Sequence, residues 1–155
     1  MSFEGISDDL MIYGTLFSLS NRLQTHVDGM LPEITARQHF MLIVIFTLFK
    51  DTKPSLKDVA NAMGCSYQNV KRMAENLEKS GFLLIERDAY DKRKYNLTLT
   101  NKIVTFSEKI EDESNKFMKD FYSDISEIYL KCTLNTLLKM EQNLKIIADA
   151  KGQRQ

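Results

Sequence analysis

Two short apolar stripes with helical spacing lie between Ser55 and Lys79. In each stripe the apolar residues follow the i, i+3, i+4, i+7 rule, which places them on one face of a helix. The first stripe consists of Leu56, Val59, Ala60 and Met63, and the second of Val70, Met73, Ala74 and Leu77. The pattern therefore predicts two consecutive helices, each with one apolar face.

The residues around these stripes predict where the helices begin and end. Ser55 is a suitable N-cap for the first helix, and Asp58 at its third position is a partial capping-box partner. Gly64 ends this helix, because Gly adopts a left-handed backbone conformation at little cost. Ser66 caps the second helix, which ends at Lys79-Ser80-Gly81, another Gly stop. Two helices joined by a tight turn that contains Gly form a helix-turn-helix unit.

The following segment predicts a β-hairpin. Residues 82–85 are an apolar strand, and residues 95–100 alternate between apolar and polar side chains, as a half-buried strand does. The loop between them, residues 87–94, is too highly charged to lie in a core. A charged hairpin tip often serves solubility alone. Directly after two capped helices, however, it is typical of a winged helix-turn-helix.

The second helix presents a polar face that suits contact with DNA. Amide and guanidinium groups can bond to base edges in the major groove, and cations can neutralise phosphates. A helix with such a face is usually just solvated, so the face alone is a weak signal. Its position between a capped helix and a charged hairpin favours a role in binding DNA. The outward positions are Tyr67, Gln68, Asn69, Lys71 and Arg72.

The hairpin resembles the winged helix of the MarR (multiple antibiotic resistance regulator) family. The resemblance rests on Gly81, the sequence Asp91-Lys92-Arg93 and the pair Leu99-Thr100. Residues 34–38 also resemble the opening of the family's second helix, and the similarity extends from about Leu10 to the C-terminus. It implies that Arg93 enters the minor groove of DNA, because a narrow minor groove concentrates negative potential that attracts Arg. It also implies that Asp91 braces the wing.

Two positions depart from the family pattern. The family often has an Arg about four residues after the Gly equivalent to Gly81, where this chain has Ile85. Arg87 is the candidate replacement, unless the strand simply runs longer. The family also tends to have a Gly shortly after the Leu-Thr pair, where this chain has Ile103. These differences affect the detail of the wing and not the class of fold.

Helix and wing together supply the predicted DNA-binding residues. Gln68 and Arg72 are four residues apart and therefore share one helical face, which makes them the predicted readers of the major groove. The complete set is Ser66, Tyr67, Gln68, Asn69, Lys71 and Arg72 in the helix, with Arg87, Asp91, Lys92, Arg93 and Lys94 in the wing.

Further apolar stripes predict four more helices. Thr35 and Gln38 form a capping box at the start of one of them, whose residues 40–49 are apolar nearly all round and are predicted to be buried on most sides. The first helix carries Leu16, Leu19, Leu23, Val27 and Met30. The fifth carries Ile103, Phe106, Ile110, Phe117 and Phe121. The sixth carries Ile125, Ile128, Tyr129, Cys132, Leu138, Leu144 and Ile147.

The predicted fold is mainly α with a small β-hairpin wing. Residues 1–155 form one domain, in which residues 34–100 are the winged helix-turn-helix part and residues 1–33 and 101–155 are helical dimerisation parts. The resemblance implies the dimer, because the first, fifth and sixth helices interlock two subunits in the family. An apolar stripe alone is more often packed on its own core. A homodimer would bind two half-sites about one helical turn apart in a roughly palindromic operator.

Composition suits a soluble domain. A length of 155 residues and an apolar content of 43% are ordinary for one globular unit. The longest uncharged apolar run, residues 38–49, is shorter than the roughly 20 residues that a membrane span needs. The start, residues 1–9, is acidic where a signal peptide would be basic. We therefore expect a cytoplasmic protein without membrane contact.

The net charge of zero counts against a DNA-binding protein until its distribution is considered. Residues 55–100 carry eight Lys or Arg against six Asp or Glu, whereas residues 108–130 carry three against seven. The cations concentrate where DNA contact is predicted. Affinity would therefore depend on a local patch and not on the field of the whole protein.

Little favours an enzyme, a cofactor or a metal site. The sequence has no Gly-rich phosphate loop, nucleophile elbow or metal-binding His and Cys cluster. His26 and His39 are isolated and are predicted to be structural or surface residues. Cys65 and Cys132 are far apart in sequence, as reduced thiols often are. Cys65 precedes the second stripe, where a redox sensor is one interpretation and a small buried turn residue the commoner one.

The predicted function is a homodimeric transcription regulator, more specifically a repressor. The alternative is a helical protein-interaction module whose winged helix does not bind DNA. The resemblance also implies an apolar cleft between the dimer helices and the winged helix, where a small aromatic or lipid-like effector would weaken DNA binding. Tyr13, Phe17 and Phe40 are candidates to line it, although core packing is the commoner role. Such a ligand acts only through different affinities for two conformations.

Overall fold

A computed structural model describes residues 5–88 and 91–152 of the chain. Ala89 and Tyr90 of the predicted wing loop lie outside the described residues, as do residues 1–4 of the acidic start. The prediction of a mainly α fold with a small β-hairpin is confirmed. In chain order the elements are α1 Asp8–Met30, α2 Ala36–Leu48, α3 Leu56–Met63, α4 Tyr67–Lys79, β1 Leu83–Arg87, β2 Tyr95–Leu99, α5 Lys102–Phe121 and α6 Glu127–Gly152.

The chain divides into two compact units, Met1–Glu111 and Asp112–Gln155. The boundary lies within α5, so the first unit contains α1 to α4, the hairpin and the first half of α5. The second contains the rest of α5 and α6. The predicted organisation as a single domain with three parts stays a prediction.

The core of the first unit joins the helix-turn-helix to the hairpin. One face each of α2, α3 and α4 packs with the hairpin and the start of α5 in a single cluster. Phe82 and Phe106 meet edge to face at its centre, with ring centroids 5.1 Å apart. Fully buried side chains fix the relative positions of these elements, because a close-packed interior leaves few alternative arrangements. The largest of them are Phe82, Met41, Leu42, Leu77, Leu83, Leu97, Val59 and Val70.

The start of α2 is fixed by the predicted capping box. The Thr35 backbone N–H donates to Gln38 Oε1 at 2.9 Å, and the Gln38 N–H donates to Thr35 Oγ1 at 3.3 Å. The Ala36 N–H also donates to Asp28 Oδ1 of α1 at 2.6 Å. Three of the N–H groups that a helix start leaves unpaired are thus satisfied. The angle between α1 and α2 is held by a side-chain contact as well as by packing.

The prediction that α2 is buried on most sides is wrong for the single chain. Met41, Leu42, Val44 and Ile45 are buried. The opposite side is open, with Phe46 58% exposed. Only one face of α2 packs against the helix-turn-helix, and the opposite face is exposed in the single chain. The exposed apolar residues on that side are Phe40, Ile43, Phe46 and Leu48.

Helix α1 has no fully buried side chain against the described part of the chain. Its predicted stripe is only partly packed. Leu23, Val27 and Met30 are half-buried near the C-terminal end, whereas Leu16 and Leu19 are exposed. The N-terminal half of α1 therefore presents apolar surface without a partner among the described residues.

In the second unit, α6 is likewise apolar and exposed. Phe117 and Phe121 of α5 stack with ring centroids 5.5 Å apart, and Tyr122 meets Phe121 edge to face. Helix α6 begins at Glu127, so Ile125 of the predicted stripe precedes the helix. Ile125 instead belongs to the turn between α5 and α6, in which Asp124 adopts a positive φ of 60°. Exposed apolar residues of α6 include Ile128, Tyr129, Leu134, Leu138, Leu144, Ile146 and Ile147.

His39 is half-buried on α2, in agreement with a structural role. Its ring meets Phe106 edge to face, with centroids 6.0 Å apart. Burial lowers the pKa of His39 below its ordinary value of 6.5, because the charged imidazolium loses water contacts. The neutral form therefore suits the folded state.

We expect stability to fall as pH drops below about 6.5, the pKa of an unfolded His. The unfolded chain then binds a proton that folded His39 takes up less readily, and the slope stays below about 1.4 kcal/mol per pH unit, the limit for one proton. Urea unfolding at pH 7.5, 6.5 and 5.5 measures it, at one protein concentration. His39→Gln should flatten this dependence. Equal slopes in wild type and His39→Gln would contradict the assignment.

Candidate nucleic-acid interface

The predicted caps hold the start of α3 and the turn between α3 and α4. The Ser55 N–H donates to Asp58 Oδ2 at 2.9 Å, and the Asp58 N–H donates to Ser55 Oγ at 3.2 Å, which completes a capping box. Gly64 ends α3 in the left-handed region, at φ 62°. Ser66 Oγ then accepts a hydrogen bond from the Asn69 N–H at 3.3 Å and caps α4. The predicted caps and the Gly stop are confirmed.

Helix α4 is buried on one face and polar on the other. Val70, Ala74 and Leu77 are fully buried. Small Ala60 of α3 is buried beside them and lets the two helices approach closely. This packing directs the opposite face to solvent, where Gln68, Lys71 and Arg72 are exposed and Tyr67 is 42% exposed. Asn69 is half-buried beside its cap.

One cation of this face has an acidic neighbour on the same helix. Lys71 Nζ lies 3.8 Å from Glu75 Oε1, one helical turn away. Both side chains are about half exposed, and such surface pairs contribute little free energy. Arg72 makes no ion pair with any described residue. The pair with Glu75 therefore leaves Lys71 available for a phosphate contact.

The wing is an antiparallel pair of strands attached to α4. Its register places Leu83 opposite Leu99 and Arg87 opposite Tyr95. On the outer edge of β1 the Ile85 N–H has no strand partner, and it donates instead to Glu78 Oε1 of α4 at 2.8 Å. This hydrogen bond links the helix that would enter the major groove directly to the wing. Nothing in the sequence pattern predicted this role for Glu78.

The other strand is attached to the segment before α3. The Leu97 N–H donates to the Pro54 carbonyl at 2.9 Å, and Ser55 and Asn96 form an isolated bridge. Both ends of the helix-turn-helix are therefore tied to the hairpin. This arrangement fixes the distance between α4 and the wing without a further element.

The tip of the wing is organised by two carboxylates. The Asp88 N–H donates to the Lys94 carbonyl at 3.0 Å and closes the loop. Asp91 Oδ1 accepts from the Arg93 N–H at 3.0 Å, and Asp88 Oδ1 accepts from the Asp91 N–H at 2.8 Å. Asp88 Oδ2 also accepts from Asn96 Nδ2 at 2.7 Å. The backbone that carries the exposed Arg93 is thus held at several points.

Asp88 and Asn96 were missed as site residues in the sequence. Asp side chains in loops often accept a hydrogen bond from a backbone N–H a few residues later, so a turn-capping role for Asp88 could have been predicted from the sequence. The contact with Asn96 required knowledge of the strand register. Lys92, Arg93 and Lys94 are all exposed, and Lys94 Nζ lies 4.0 Å from Asp91 Oδ2.

The two departures from the family pattern have local explanations. Arg87 is exposed at the end of β1, with its guanidinium carbon 5.9 Å from the centroid of the Tyr95 ring. It lies next to the tip of the wing, in contact with the opposite strand. Ile85 and Ile103 are half-buried and pack against the core cluster. Apolar side chains at these positions therefore serve packing.

A cleft of ≈ 740 Å³ separates α3 and the start of α4 from the wing. It brings together Tyr67 of α4 with Arg93 and Lys94 of the wing, which the sequence had predicted separately. Among the other predicted site residues, Gln68, Lys71, Arg72, Arg87 and Lys92 do not line it in the described part of the chain. Polar residues that line the cleft are Lys53, Ser55, Lys57, Asp58, Asn61, Tyr67, Asp88, Arg93, Lys94, Tyr95 and Asn96.

The three aromatic residues proposed to line an effector cleft do not pack in the core of the single chain. Tyr13 and Phe17 are each 62% exposed and meet edge to face, with ring centroids 5.1 Å apart. Phe40 is 48% exposed. The alternative role of plain core packing is therefore wrong for these three residues in the single chain.

Other candidate chemistry is limited. Cys65 is half-buried in the turn before α4, Cys132 is exposed, and both are free thiols. The described residues contain no group of three His, Cys, Asp or Glu that could hold a metal ion. No described helix is long and apolar enough to cross a membrane.

Comparison with known proteins places the chain by its structure. No protein-family model and no curated sequence matches it. A MarR protein from Peptoclostridium difficile is 23% identical, with 93% of this chain and 92% of that chain covered and a TM-score of 0.71. The MepR protein of S. aureus in complex with DNA is 24% identical, with 85% and 97% covered and a TM-score of 0.73.

A third similar structure concerns regulation by a small molecule. It is the BpsR protein of Bordetella bronchiseptica, whose DNA binding is regulated by 6-hydroxynicotinic acid. It is 20% identical, with 83% of this chain and 98% of that chain covered and a TM-score of 0.67. The order of helices and the two-stranded wing agree with these proteins over most of their length. The chain therefore has the winged-helix fold of the MarR-family transcription regulators.

Proposed function

We propose that this chain is a MarR-family transcription regulator that binds double-stranded DNA as a homodimer, more specifically as a repressor. The observation that carries the proposal is that α4 and the wing, which both expose cations, lie on either side of one cleft. The first residue of α4, Tyr67, faces the same cleft as Arg93 of the wing. Hydrogen bonds from Ile85 to Glu78 and from Leu97 to Pro54 hold the two elements at a fixed separation.

The two elements suit the two grooves of a duplex. Helix α4 exposes Gln68 and Arg72 on one face, which fits base edges in the major groove. The wing exposes Arg93 on a narrow loop, which fits the minor groove. The resemblance of the wing motif to the family and the likeness to a regulator solved on DNA support this assignment.

Exposed apolar helices support the homodimer. In the single chain α1 has no buried residue, and α6 exposes Ile128 at 73% and Leu144 at 66%. Soluble monomers rarely leave large apolar patches in water, and such patches mark interaction surfaces. In an isologous dimer the same patch on two subunits is self-complementary. A second copy of the chain is therefore the partner that we assign to these helices.

A small aromatic or lipid-like effector is the finer part of the proposal. Tyr13, Phe17 and Phe40 lie on apolar surface that a dimer could enclose, and the similar BpsR protein responds to a small aromatic acid. A compound that binds one dimer conformation better would shift DNA affinity through that difference. Thermal melting of the protein with a panel of phenolic and acyl compounds tests this part separately.

The experiment that tests DNA binding is selection of genomic fragments by the purified protein, followed by titration of the selected duplex at several salt concentrations. We expect a roughly palindromic site and a steep loss of affinity with salt, because cations release counterions from phosphates. A protein that retains no duplex at low salt would favour the alternative function, a helical protein-interaction module.

Gln68→Ala should relax base preference more than it lowers affinity. A lost hydrogen bond between neutral groups costs about 1 kcal/mol for each half-site, and its loss affects one operator position. The measurement is binding to the selected operator and to variants changed at each position. Lys79→Ala, at the other end of α4, is the control and should leave the position profile unchanged. A Gln68→Ala profile equal to that of wild type would contradict the role of Gln68.

A further inference from the structure

The C-terminal end of α4 is held by the first residue of α5. Ser80 is the C-cap of α4, and Lys102 Nζ donates a hydrogen bond to its carbonyl oxygen at 2.9 Å. A cation is favourable at this position, because the carbonyl groups at a helix C-terminus carry partial negative charge. Thr100 Oγ1 donates to the Gly81 carbonyl at 2.7 Å and accepts from the Lys102 N–H at 3.3 Å. The backbone and the side chain of Lys102 are therefore both attached to the turn that follows α4.

The ammonium group of Lys102 also contacts two other parts of the first unit. Nζ lies 2.7 Å from Oε2 of Glu33, in the segment between α1 and α2. It also lies 4.3 Å from the centroid of the Phe82 ring, within the distance of a cation–π contact. Phe82 is fully buried in the core. One side chain therefore connects the end of α4, the α1–α2 segment and the core.

Glu33 is shared between two lysines of α5. The hydrogen bond from Lys102 lowers the pKa of Glu33 below its ordinary value of 4.5, so the carboxylate is ionised at neutral pH. Lys109 Nζ, further along α5, lies 3.5 Å from the other oxygen, Oε1. Lys109 makes no hydrogen bond with α4 in the described part of the chain. Partly exposed ion pairs add little to stability, so we expect Lys102 to affect the position of α4 more than the free energy of unfolding.

We propose that Lys102 is a positioning residue, which holds the last turn of α4 against the α1–α2 segment and thereby sets how well α4 discriminates between base sequences. The proposal rests on the proposed function and adds to it a residue outside the predicted DNA-binding set. The last buried residue of α4 is Leu77, so the final turn is held by the contacts of Glu78 and Ser80. A helix of 13 residues is roughly 20 Å long. A small tilt at its end therefore displaces Gln68, near its start, by more than the roughly 0.5 Å that a binding site tolerates.

The test is Lys102→Met, which removes the ammonium group and keeps a flexible side chain. Titration of operator and of scrambled duplex across a salt series measures its effect. We expect affinity for the operator to fall roughly 3–30-fold, the range for changes that act through a network of packed side chains, and affinity for scrambled duplex to fall less. The ratio of the two affinities therefore falls. The slope of log affinity against log salt should equal that of wild type, because no phosphate contact is lost.

Two further variants complete the test. Lys109→Met is the matched control, because it removes the same charge and a partner of Glu33 but no hydrogen bond to α4, and we expect it to keep the wild-type ratio. Glu33→Gln leaves α4 and α5 unchanged and removes the charge that pairs with Lys102. It should lower the ratio in part. The losses from Glu33→Gln and Lys102→Met should not add in the double variant, since both act through one contact.

The ratio of affinities separates a change in position from a change in folding. A smaller folded fraction would lower both affinities by the same factor, so an unchanged ratio in Lys102→Met and in Glu33→Gln would overturn the positioning role while DNA binding stands. A salt slope lower by about 0.9 per protomer in Lys102→Met would assign Lys102 to a phosphate contact instead. An equal fall in Lys109→Met would assign the effect to total charge and overturn the inference too. Failure of wild type to bind any duplex would overturn the proposed function, and this inference with it.

Discussion

Arg93→Ala should weaken binding to the operator by roughly 10²–10⁴-fold. A hydrogen bond to a charged group contributes about 1.5–3 kcal/mol, and a homodimer carries two wings, so both contacts are lost together. The loss should extend to most sequences, with the largest effect where A·T pairs narrow the minor groove. The salt dependence should fall by about one counterion per wing. Titration of operator, scrambled duplex and A·T-substituted duplex across a salt series measures each quantity.

The structure explains why the effect should be large. Arg93 lies on a loop closed by the hydrogen bond from Asp88 to Lys94, and its own N–H is held by Asp91. A side chain carried by a fixed backbone loses less conformational freedom on binding than one on a free loop. Arg93 is exposed and makes no ion pair with a described residue, so no ion pair within the described part of the chain has to break on binding.

Three variants serve as comparisons for Arg93→Ala. Arg93→Lys should retain most of the salt slope but lose part of the affinity, because an ammonium lacks the planar donor fork. Asp91→Ala should give a weaker form of the Arg93→Ala defect, because it loosens the loop and leaves the charge. Lys92→Ala removes the neighbouring cation and shows how much of the defect in Arg93→Ala comes from the loss of one positive charge in the loop. An Arg93→Ala protein with the affinity and salt slope of wild type would refute the wing assignment and favour the protein-interaction module.

The helix-turn-helix could be predicted from sequence because its signals are local. Ser55 with Asp58, Thr35 with Gln38, and Gly64 each specify a helix end through contacts within a few residues. The apolar spacing then specifies which face is buried. The solved structures that share this fold are only 23–24% identical, and no family model matches the chain.

The contacts that position the wing could not be predicted in this way. The hydrogen bond from Ile85 to Glu78 joins residues seven apart, across the end of a helix and the start of a strand. The contact between Asp88 and Asn96 depends on the strand register, and the cleft depends on the distance between α3 and the loop. Each of these features is set by tertiary packing.

Burial of α2 was predicted wrongly for a related reason. An apolar residue shows that a surface avoids water, but it does not show which molecule covers it. Phe46 and Leu48 are exposed in the single chain although Val44 and Ile45 of the same helix are buried. If the protein is a homodimer, the missing cover belongs to the second copy. The apolar face of α2 that is exposed in one chain would then be buried in the dimer.

Leu138→Glu on α6 should dissociate the proposed homodimer and abolish tight operator binding. Leu138 is 53% exposed in the single chain, so the change leaves the described core intact. Burying a Leu contributes about 1.5–3 kcal/mol, and an isologous interface counts each residue twice. A buried unpaired carboxylate adds a further cost. The dimer dissociation constant should therefore rise by more than roughly 10²–10⁴-fold.

Sedimentation over a range of concentrations measures the dimer, and titration of a full operator and of a single half-site measures DNA binding. We expect Leu138→Glu to lose affinity for the full operator and to bind a half-site as wild-type monomer would, because α4 and the wing are unchanged. Asn143→Glu places the same charge on another face of α6 and is the control, with dimer and operator affinity retained. Since the helix angle between positions 138 and 143 is about 140°, the two carboxylates cannot share one surface. A Leu138→Glu protein that sediments as a dimer with wild-type operator affinity would remove α6 from the interface.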